Sequence, residues 1–310
     1  MIDARVRLGT VEFAGPAFTA SGCAAAGKEL SAFFDLTEIG GVVTKSIMLR
    51  PRSGRPTPRM VETPSGMLNS IGLQGPGIES FLANDLSWLS ERGVATVVSI
   101  AGETVDEFGQ LARILRNEPA VKAIEVNISC PNVESRGQVF ACEVMSASSV
   151  IHQVRRNTNS SVPIFAKLSP DVTSIAEIAL ACHNAGADGF SVMNTTLGMA
   201  IDADTMRPIL GGVTGGLSGP AIRPIAVRAV WQVHQVLPEI PILGMGGIAT
   251  GADALQFIAA GASAVSVGTM TFNDPSAPVR VQRELLALLD ERGFPTVADA
   301  VGIAHRGGLT

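Results

Sequence analysis

The sequence has no tyrosine, only four cysteines and no long run of charge of one sign. With a formal net charge of -5, the chain shows none of the basic patterning expected for nucleic acid or anionic membranes. The cysteines form no Cys-x-x-Cys pair and no zinc-type cluster with histidine, so no metal site is predicted. The first ten residues, MIDARVRLGT, lack the apolar core of a signal peptide. These absences predict a cytoplasmic protein with reduced thiols. Its four cysteines are Cys23, Cys130, Cys142 and Cys182.

One uncharged stretch, between Asp253 and Asp274, is long enough to suit a membrane span. It contains glycines and serines, and it divides into a helix-like half and a strand-like half. We therefore expect a helix followed by a buried strand here, and no membrane segment.

Eight short apolar runs alternate with helix-like stretches in a chain that is 46% hydrophobic. Continuous apolar strands separated by helices are typical of parallel sheets that are covered on both faces. The pattern predicts an α/β fold, a (β/α)8 TIM barrel, in a single domain over residues 1–310. An open doubly wound sheet is the alternative, although no Gly-x-Gly-x-x-Gly follows the first strand. The predicted strands are residues 17–20, 41–45, 95–100, 123–127, 163–168, 189–193, 241–244 and 264–267.

Three segments lie outside this repeat. Residues 5–13 alternate around a glycine, which predicts an N-terminal hairpin at the bottom of the barrel. Residues 49–77 form the longest irregular insertion, and residues 211–219 form a flexible glycine-rich loop suited to covering a ligand. We expect these loop insertions over the C-terminal face of the barrel.

Polar side chains follow the predicted strands at the points where they end. In a barrel, catalytic and binding groups lie at these C-terminal ends and in the loops after them. Burying an amide or an ammonium group without a partner is costly, so lysines and asparagines here favour a ligand site over packing. Glycines after the last two strands expose backbone N–H groups beside helix starts, an arrangement that binds phosphate. The strand-end residues are Ser21, Lys45, Ser46, Ser99, Asn127, Cys130, Lys167, Asn194, Thr195, Gly246, Gly247, Gly268 and Thr269.

Several of these segments together resemble one known family. From roughly residue 5 to residue 305, the chain is similar to the class 1 dihydroorotate dehydrogenases. The combination of NSIGL and NISCPN, in this order and at these strand ends, is highly specific. The segments are TKS at 44–46, NSIGL at 69–73, NISCPN at 127–132, AKLSP at 166–170, NT at 194–195, GLSGP at 216–220, GG at 246–247 and GT at 268–269.

The resemblance implies oxidation of (S)-dihydroorotate to orotate on a tightly bound FMN, in de novo pyrimidine (UMP) biosynthesis. A hydride would pass from substrate C6 to FMN N5, and Cys130 would accept the C5 proton as the catalytic base. A thiolate serves as a base only when its pKa is lowered toward neutrality. Class 2 enzymes have serine at this position and an N-terminal membrane segment, so Cys130 favours class 1.

The resemblance also implies two sets of contacts. A lysine beside the flavin would stabilise the anion that develops on reduction, and asparagine amides match the donors and acceptors of a pyrimidine-dione. FMN would contact Ser21, Lys45, Ser46, Ser99, Asn127, Lys167, Met193, Gly219, Gly246, Gly247, Gly268 and Thr269. Dihydroorotate or orotate would contact Lys45, Asn69, Ser70, Ile71, Gly72, Leu73, Asn127, Asn132, Asn194 and Thr195.

The sequence departs from the family pattern at three places. Ser99 stands where many members have asparagine, so one hydrogen bond to flavin or substrate is weaker or passes through water. Met193 replaces a commoner isoleucine beside the flavin. Residues 140–143, FACE, differ from the usual Phe-Gly, which predicts different movement of the loop that carries the base.

Residues 130–140 and 215–224 look like the B-type of class 1. B-type enzymes pair with an iron–sulfur and FAD subunit that passes electrons to NAD. This chain has no cysteine set for an iron–sulfur cluster, so FAD and the [2Fe-2S] cluster would belong to that partner. The expected assembly is a homodimer core within a heterotetramer.

Four alternatives stay open from the sequence. An A-type enzyme would be a homodimer that passes electrons to fumarate. A dihydropyrimidine dehydrogenase-like flavoprotein also uses a loop cysteine, although its cysteine-rich electron-transfer domains are absent here. A flavin-free binding barrel would be colourless, and it leaves the strand-end lysines and asparagines unexplained. A sugar-phosphate isomerase barrel would also be colourless.

Overall fold

The computed structural model describes residues 2–128 and 144–307. Sixteen strands lie in this described part of the chain. In chain order they are β1 (Val6–Leu8), β2 (Val11–Phe13), β3 (Ala17–Thr19), β4 (Val42–Val43), β5 (Met60–Thr63), β6 (Gly66–Asn69), β7 (Thr96–Ile100), β8 (Val121–Asn127), β9 (Ile164–Leu168), β10 (Gly189–Val192), β11 (Thr196–Gly198), β12 (Ile201–Asp202), β13 (Arg207–Pro208), β14 (Gly215–Ser218), β15 (Ile242–Met245) and β16 (Ala264–Val267).

The α-helices of the described residues follow most of the long strands. They are α1 (Ile78–Ser80), α2 (Ser87–Glu91), α3 (Val105–Leu115), α4 (Val144–Asn157), α5 (Ile175–Asn184), α6 (Arg223–Val236), α7 (Gly251–Ala260), α8 (Ala277–Glu291) and α9 (Val297–Ala300). A π-helical stretch, Phe81–Leu86, joins α1 to α2, and short 3-10 turns lie at Pro220–Ile222 and Thr269–Phe272.

The predicted barrel is confirmed. Eight strands form one sheet in the order β3-β16-β15-β10-β9-β8-β7-β4. A parallel bridge between Phe18 and Gly41 joins the two ends of this order, and the Thr19 amide donates to the Gly41 carbonyl over 3.3 Å. Because the edges meet, the open doubly wound alternative is wrong. Each of the eight predicted apolar runs overlaps one of these strands, although β8 begins before its run, at Val121, and β15 ends after its run, at Met245.

The helices pack one apolar face against the barrel, as α3 illustrates. Its N-cap Thr104 accepts a hydrogen bond from the Glu107 amide, which satisfies one of the free donors of the first turn. Phe108, Leu111 and Leu115 then recur at helical spacing and are fully buried. Burying each of these side chains contributes roughly 1.5–3 kcal/mol.

The uncharged stretch before Asp274 folds as expected, into helix α7 and the fully buried strand β16. Within the described residues, no helix combines the length and the apolar character needed to cross a membrane. The N-terminal hairpin is also confirmed, as β1 and β2. The Thr10 hydroxyl donates to the Ser161 carbonyl over 2.9 Å, which places this hairpin at the N-terminal end of β9.

The insertions are more ordered than their sequences predict. β5 and β6 form a hairpin inside residues 49–77, and β14 lies inside the segment 211–219. The interpretation of residues 211–219 as a flexible loop is therefore wrong for β14. These strands join β11 in an antiparallel sheet of order β11-β14-β6-β5. The sheet covers the C-terminal end of the barrel, because β6 and β14 both contribute to the cavity described below.

Candidate active site

A cavity of about 540 Å³ lies between the C-terminal ends of the barrel strands and the antiparallel sheet. This volume is in the range of small-molecule and cofactor sites. Seventeen of the predicted contact residues line it, from all three classes of segment: strand ends, insertions and glycine loops. They are Ser21, Lys45, Ser46, Asn69, Ile71, Gly72, Leu73, Asn127, Lys167, Met193, Asn194, Thr195, Gly219, Gly246, Gly247, Gly268 and Thr269.

Two predicted contact residues lie behind the cavity wall. Ser99 is fully buried, and its hydroxyl lies 3.0 Å from the Ser46 hydroxyl. Ser70 is buried in the wall of the insertion, where its amide donates to the Arg59 carbonyl over 2.7 Å. Ser99 therefore contacts Ser46, which lines the cavity, and neither Ser99 nor Ser70 lines it directly.

The predicted base and its neighbours lie outside the described residues. These are Cys130, Asn132 and residues 140–143. The strand that precedes them in the chain, β8, ends at Asn127, which lines the cavity. Cys130 follows Asn127 by three residues in the sequence.

One end of the cavity is built from charged and amide side chains, and we call it the lysine end: Lys45, Ser46, Asn127 and Lys167. Asn127 and Lys167 are direct partners across β8 and β9, so parallel pairing sets their side chains next to each other. The Asn127 amide donates to the Ser46 hydroxyl over 3.0 Å. This end offers two ammonium groups and an oriented amide, a suitable environment for an anion or a polar ring.

Beneath the lysine end lies a carboxylate that the sequence interpretation missed. Glu125 is fully buried on β8, and its Oε1 lies 3.5 Å from the Lys167 ammonium group. The Ser99 hydroxyl donates to the same oxygen over 2.9 Å. Strand alternation contained a signal, because Glu125 and Asn127 are two residues apart and so share one face of β8.

The opposite end is made of backbone, and we call it the glycine end: Gly219, Gly246, Gly247, Gly268 and Thr269. Gly219 and Gly247 have φ angles of +93° and +79°, in the region that favours glycine. A Cβ on Gly247 would lie 2.8 Å from the Gly219 carbonyl oxygen, closer than such atoms approach. The glycines therefore allow these loops to pack closely on their neighbours, and main-chain groups rather than side chains form much of this end of the cavity.

Cys23 also lines the cavity, although it is not among the contact residues that the sequence predicts. Burial raises the pKa of its thiol to about 11, an effect that the nearby Lys167 and Lys45 charges oppose. The thiol is therefore protonated at neutral pH and is a poor base. A lone cysteine in a loop carries no spacing pattern from which this position was predictable.

Five methionines form much of the apolar wall. Their polarizable thioethers adapt to the shape of a flat aromatic ligand. Only one of them was predicted, because methionines scattered over five segments form no sequence motif. They are Met60, Met67, Met193, Met245 and Met270.

Comparison with known proteins agrees with the site. The family model described as Dihydroorotate dehydrogenase matches residues 4–289. Two relatives are named "Dihydroorotate dehydrogenase B (NAD(+)), catalytic subunit": that of Desulforudis audaxviator is 48% identical over 99% of both chains, and that of Geotalea daltonii 47% over 97% of both. A solved structure of DHODH from Eimeria tenella, in complex with ferulenol, superposes with a TM-score of 0.84 at 25% identity, covering 98% of this chain and 89% of that chain. The chain belongs to the dihydroorotate dehydrogenase family.

Proposed function

We propose that this chain is the catalytic subunit of an NAD-linked dihydroorotate dehydrogenase, which oxidises (S)-dihydroorotate to orotate in pyrimidine biosynthesis. The observation that carries the proposal is a single cavity with a lysine end and a glycine end, next to the strand that leads to Cys130. The near full-length similarity to B-type catalytic subunits supports the same activity.

The residues of the cavity fit a flavin, as the family requires, and we propose that the flavin is FMN. The glycine end suits a phosphate, since exposed backbone N–H groups bind anions. Two lysines at the other end suit a ring that gains negative charge on reduction. The Ser266 hydroxyl in the cavity wall is buried without a hydrogen-bond partner among the described residues. We therefore expect a ligand atom to form a hydrogen bond with it.

Bound FMN supplies the hydride acceptor for substrate C6. The residues proposed to hold the cofactor are those of the two ends together with Ser21 and Met193. Lys45 and Lys167 favour the reduced form of the cofactor, which carries more negative charge. The glycine end anchors the cofactor without contributing to the chemistry.

The proposed substrate contacts come from three different elements. Asn69 lies at the end of β6, Asn127 at the end of β8, and Asn194 follows β10. The Asn69 amide donates to the Gly216 carbonyl over 3.3 Å, and the Asn194 side-chain oxygen accepts from the Thr195 amide over 2.9 Å. These bonds fix both amides, so that their remaining donors and acceptors match a planar pyrimidine-dione. Ile71, Gly72 and Leu73 complete this wall, and Ser70 and Asn132 remain part of the proposed set.

Cys130 is the proposed base, and its thiolate accepts the proton from substrate C5. Cys23, which lines the cavity, is less suited to this role, because burial raises the pKa of its thiol to about 11. The positive charges of the lysine end favour a thiolate that approaches them, because an opposite charge stabilises the ionised form.

Electrons are proposed to leave through a separate subunit that carries FAD and a [2Fe-2S] cluster and reduces NAD. The name of these relatives, which specifies NAD(+) and a catalytic subunit, supports this path. The proposed assembly is a homodimer of this chain within a heterotetramer.

Two further expectations belong to the proposal. Residues 1–310 form one FMN-binding domain, supported by a cluster of buried apolar side chains that runs from Val6 to Ala300. The protein acts in the cytoplasm, supported by the free thiols of Cys23 and Cys182.

The test is an anaerobic visible spectrum of the purified chain before and after dihydroorotate is added. Yellow protein that bleaches establishes flavin and substrate together. NAD or fumarate, added with and without the partner subunit, then identifies the acceptor. Protein that stays yellow contradicts dihydroorotate as substrate, and protein that stays colourless after incubation with FMN contradicts the flavoenzyme.

A further inference from the structure

Glu125 is an ionisable group in the interior of the barrel that the proposed reaction does not use. Its side chain is fully buried in the middle of β8, with apolar neighbours on the same strand. Removing a carboxylate from water is costly unless charge and hydrogen bonds compensate it. A carboxylate at this place therefore calls for a specific role.

The compensation comes from the lysine end of the cavity. Glu125 Oε1 lies 3.5 Å from the Lys167 ammonium group and accepts the Ser99 hydroxyl over 2.9 Å. Its second oxygen, Oε2, has no hydrogen-bond donor among the described residues. These contacts therefore compensate only part of the cost of burying the carboxylate. Its negative charge acts on Lys167 and on the cavity beyond it.

Lys167 separates this carboxylate from the cavity. It is nearly buried, yet it lines the cavity, whereas Glu125 lies behind it. A charge in such a water-poor region acts over several ångströms with little screening. Any ligand beside Lys167 therefore experiences the ammonium group and the carboxylate together.

We propose that Glu125 is a positioning residue that holds Lys167 against the barrel wall and lowers the reduction potential of the bound flavin. The inference rests on the proposed function, because it requires FMN beside Lys167. Reduction adds negative charge to the cavity contents, and the Glu125 charge opposes that change. A lower potential makes the reduced cofactor a stronger electron donor, as an NAD-linked path requires.

The competing explanation is a purely structural ion pair. A buried pair of this kind is weak evidence for stability by itself. If Glu125 only supported the fold, its replacement would change the melting temperature and leave the flavin potential of the folded holoprotein unchanged. The potential is therefore the measurement that separates the two roles.

The main variant is Glu125→Gln, which keeps the size of the side chain and an oxygen acceptor for Ser99 but removes the charge. The FMN-loaded protein is titrated with dithionite in the presence of a reference dye, so that no substrate is needed. We expect the equilibrium constant for two-electron reduction to rise at least tenfold, which corresponds to about +30 mV. In parallel, quenching of FMN fluorescence by the apoprotein reports cofactor affinity.

Two further variants keep the test decisive if Glu125→Gln does not fold. Glu125→Asp retains the charge, so its potential should lie closer to wild type than that of Glu125→Gln. Ser99→Ala removes the hydrogen bond to the carboxylate, strengthens its field, and should shift the potential downward, opposite to Glu125→Gln. The matched control is Glu284→Gln, which neutralises a carboxylate 2.9 Å from Arg280 on the outer helix α8 and should leave the potential unchanged.

An unchanged potential in folded, FMN-loaded Glu125→Gln overturns the proposal, as does an unchanged potential in Ser99→Ala where Glu125→Gln cannot be prepared. Failure of the proposed function is recognised separately. A wild type that binds FMN but is not bleached by dihydroorotate contradicts the substrate and leaves the dithionite comparison readable. A wild type that binds no FMN overturns both.

Discussion

The two ends of the cavity are built on opposite principles. The glycine end depends on side chains that are missing, since a Cβ on Gly247 would meet the Gly219 carbonyl at 2.8 Å. The lysine end depends on side chains that are held in place, by a chain of contacts from Asn127 through Ser46 and Ser99 to Glu125. The first arrangement suits anchoring, and the second suits control of charge.

This difference predicts how each end responds to mutation. A change at the glycine end is steric and local, so it should alter affinity alone. A change at the lysine end removes one member of a connected polar network, whose members do not contribute additively. It should therefore alter stability, affinity and reactivity together.

The largest expected effect comes from the proposed base, Cys130. Cys130→Ala should keep FMN and lose dihydroorotate oxidation by roughly 10²–10⁴-fold at neutral pH, the usual contribution of a positioned general base. The measurement is the rate of anaerobic bleaching by dihydroorotate. Cys182→Ala, which removes a fully buried thiol from α5, is the control for loss of a cysteine.

A second cysteine sharpens this result. Cys23→Ser should lose much less than Cys130→Ala, because the Cys23 thiol, with a pKa of about 11, is already protonated at neutral pH. Near-normal bleaching in Cys130→Ala, or a larger loss in Cys23→Ser, would reverse the assignment of the base.

The next effect tests the connected network directly. Lys167→Met leaves the buried Glu125 carboxylate without its 3.5 Å ion pair. Breaking a buried pair from one side costs about 3–5 kcal/mol, so we expect a clear fall in the free energy of unfolding together with weaker FMN binding. Urea unfolding of the apoprotein measures the first effect, and fluorescence titration with FMN the second.

The double variant Lys167→Met/Glu125→Gln should recover part of the lost stability, because no charge is left buried alone. Lys122→Met, on an exposed position of the same strand β8, serves as the control. If the double variant is no more stable than Lys167→Met, the two residues are not coupled as proposed.

The glycine end should respond to Gly247→Ala with a change in affinity. The added methyl group meets the Gly219 carbonyl and the backbone of Arg223 at a φ of +79°, so the loop must shift. We expect FMN binding to weaken by about 1.4 kcal/mol, or tenfold, with no change in the flavin potential. Gly293→Ala is a matched control, because Gly293 has a φ of +75° but nothing within 4 Å of an added Cβ. Equal losses of affinity in both variants would show that backbone strain, rather than the shape of the cradle, is responsible.

The sequence predicts the barrel well because each barrel strand is a local apolar run. Val42 and Val43, for example, are followed at once by the polar Thr44 and Lys45 that mark a strand end. The covering sheet was not predictable in this way. β6 and β14 pair through Leu68 and Leu217, which are 149 positions apart, and their glycine-rich sequences lack alternation.

Within the site, the sequence indicates which strand ends carry function but not which side chains face the cavity. Ser99 was expected to contact the ligand, yet its partner across the sheet is Glu125, and both side chains point into the barrel interior. Cys23 is not among the predicted contact residues, yet the loop after β3 brings it to the cavity wall. Both outcomes depend on the depth of a side chain along the barrel axis, which periodicity does not specify.

The smallest expected effect lies away from both ends of the cavity. His234, on α6, packs near Gly261 and Gly302 at the N-terminal side of β16, with its ring 4.8 Å from that of His305. Burial, followed by the His305 charge, lowers its pKa below the usual 6.5. Below pH 6.5 the unfolded chain therefore binds more protons at this position than the native protein, and stability falls as the pH falls. Since the side chain is only partly buried, His234→Gln should reduce the fall in the free energy of unfolding between about pH 7 and 5 by a few tenths of a kcal/mol, which urea unfolding at each pH measures. His152→Gln, at an exposed position on α4, is the control. FMN affinity and potential should be unchanged, and a shift in either would show that the two ends do not act independently of the rest of the barrel.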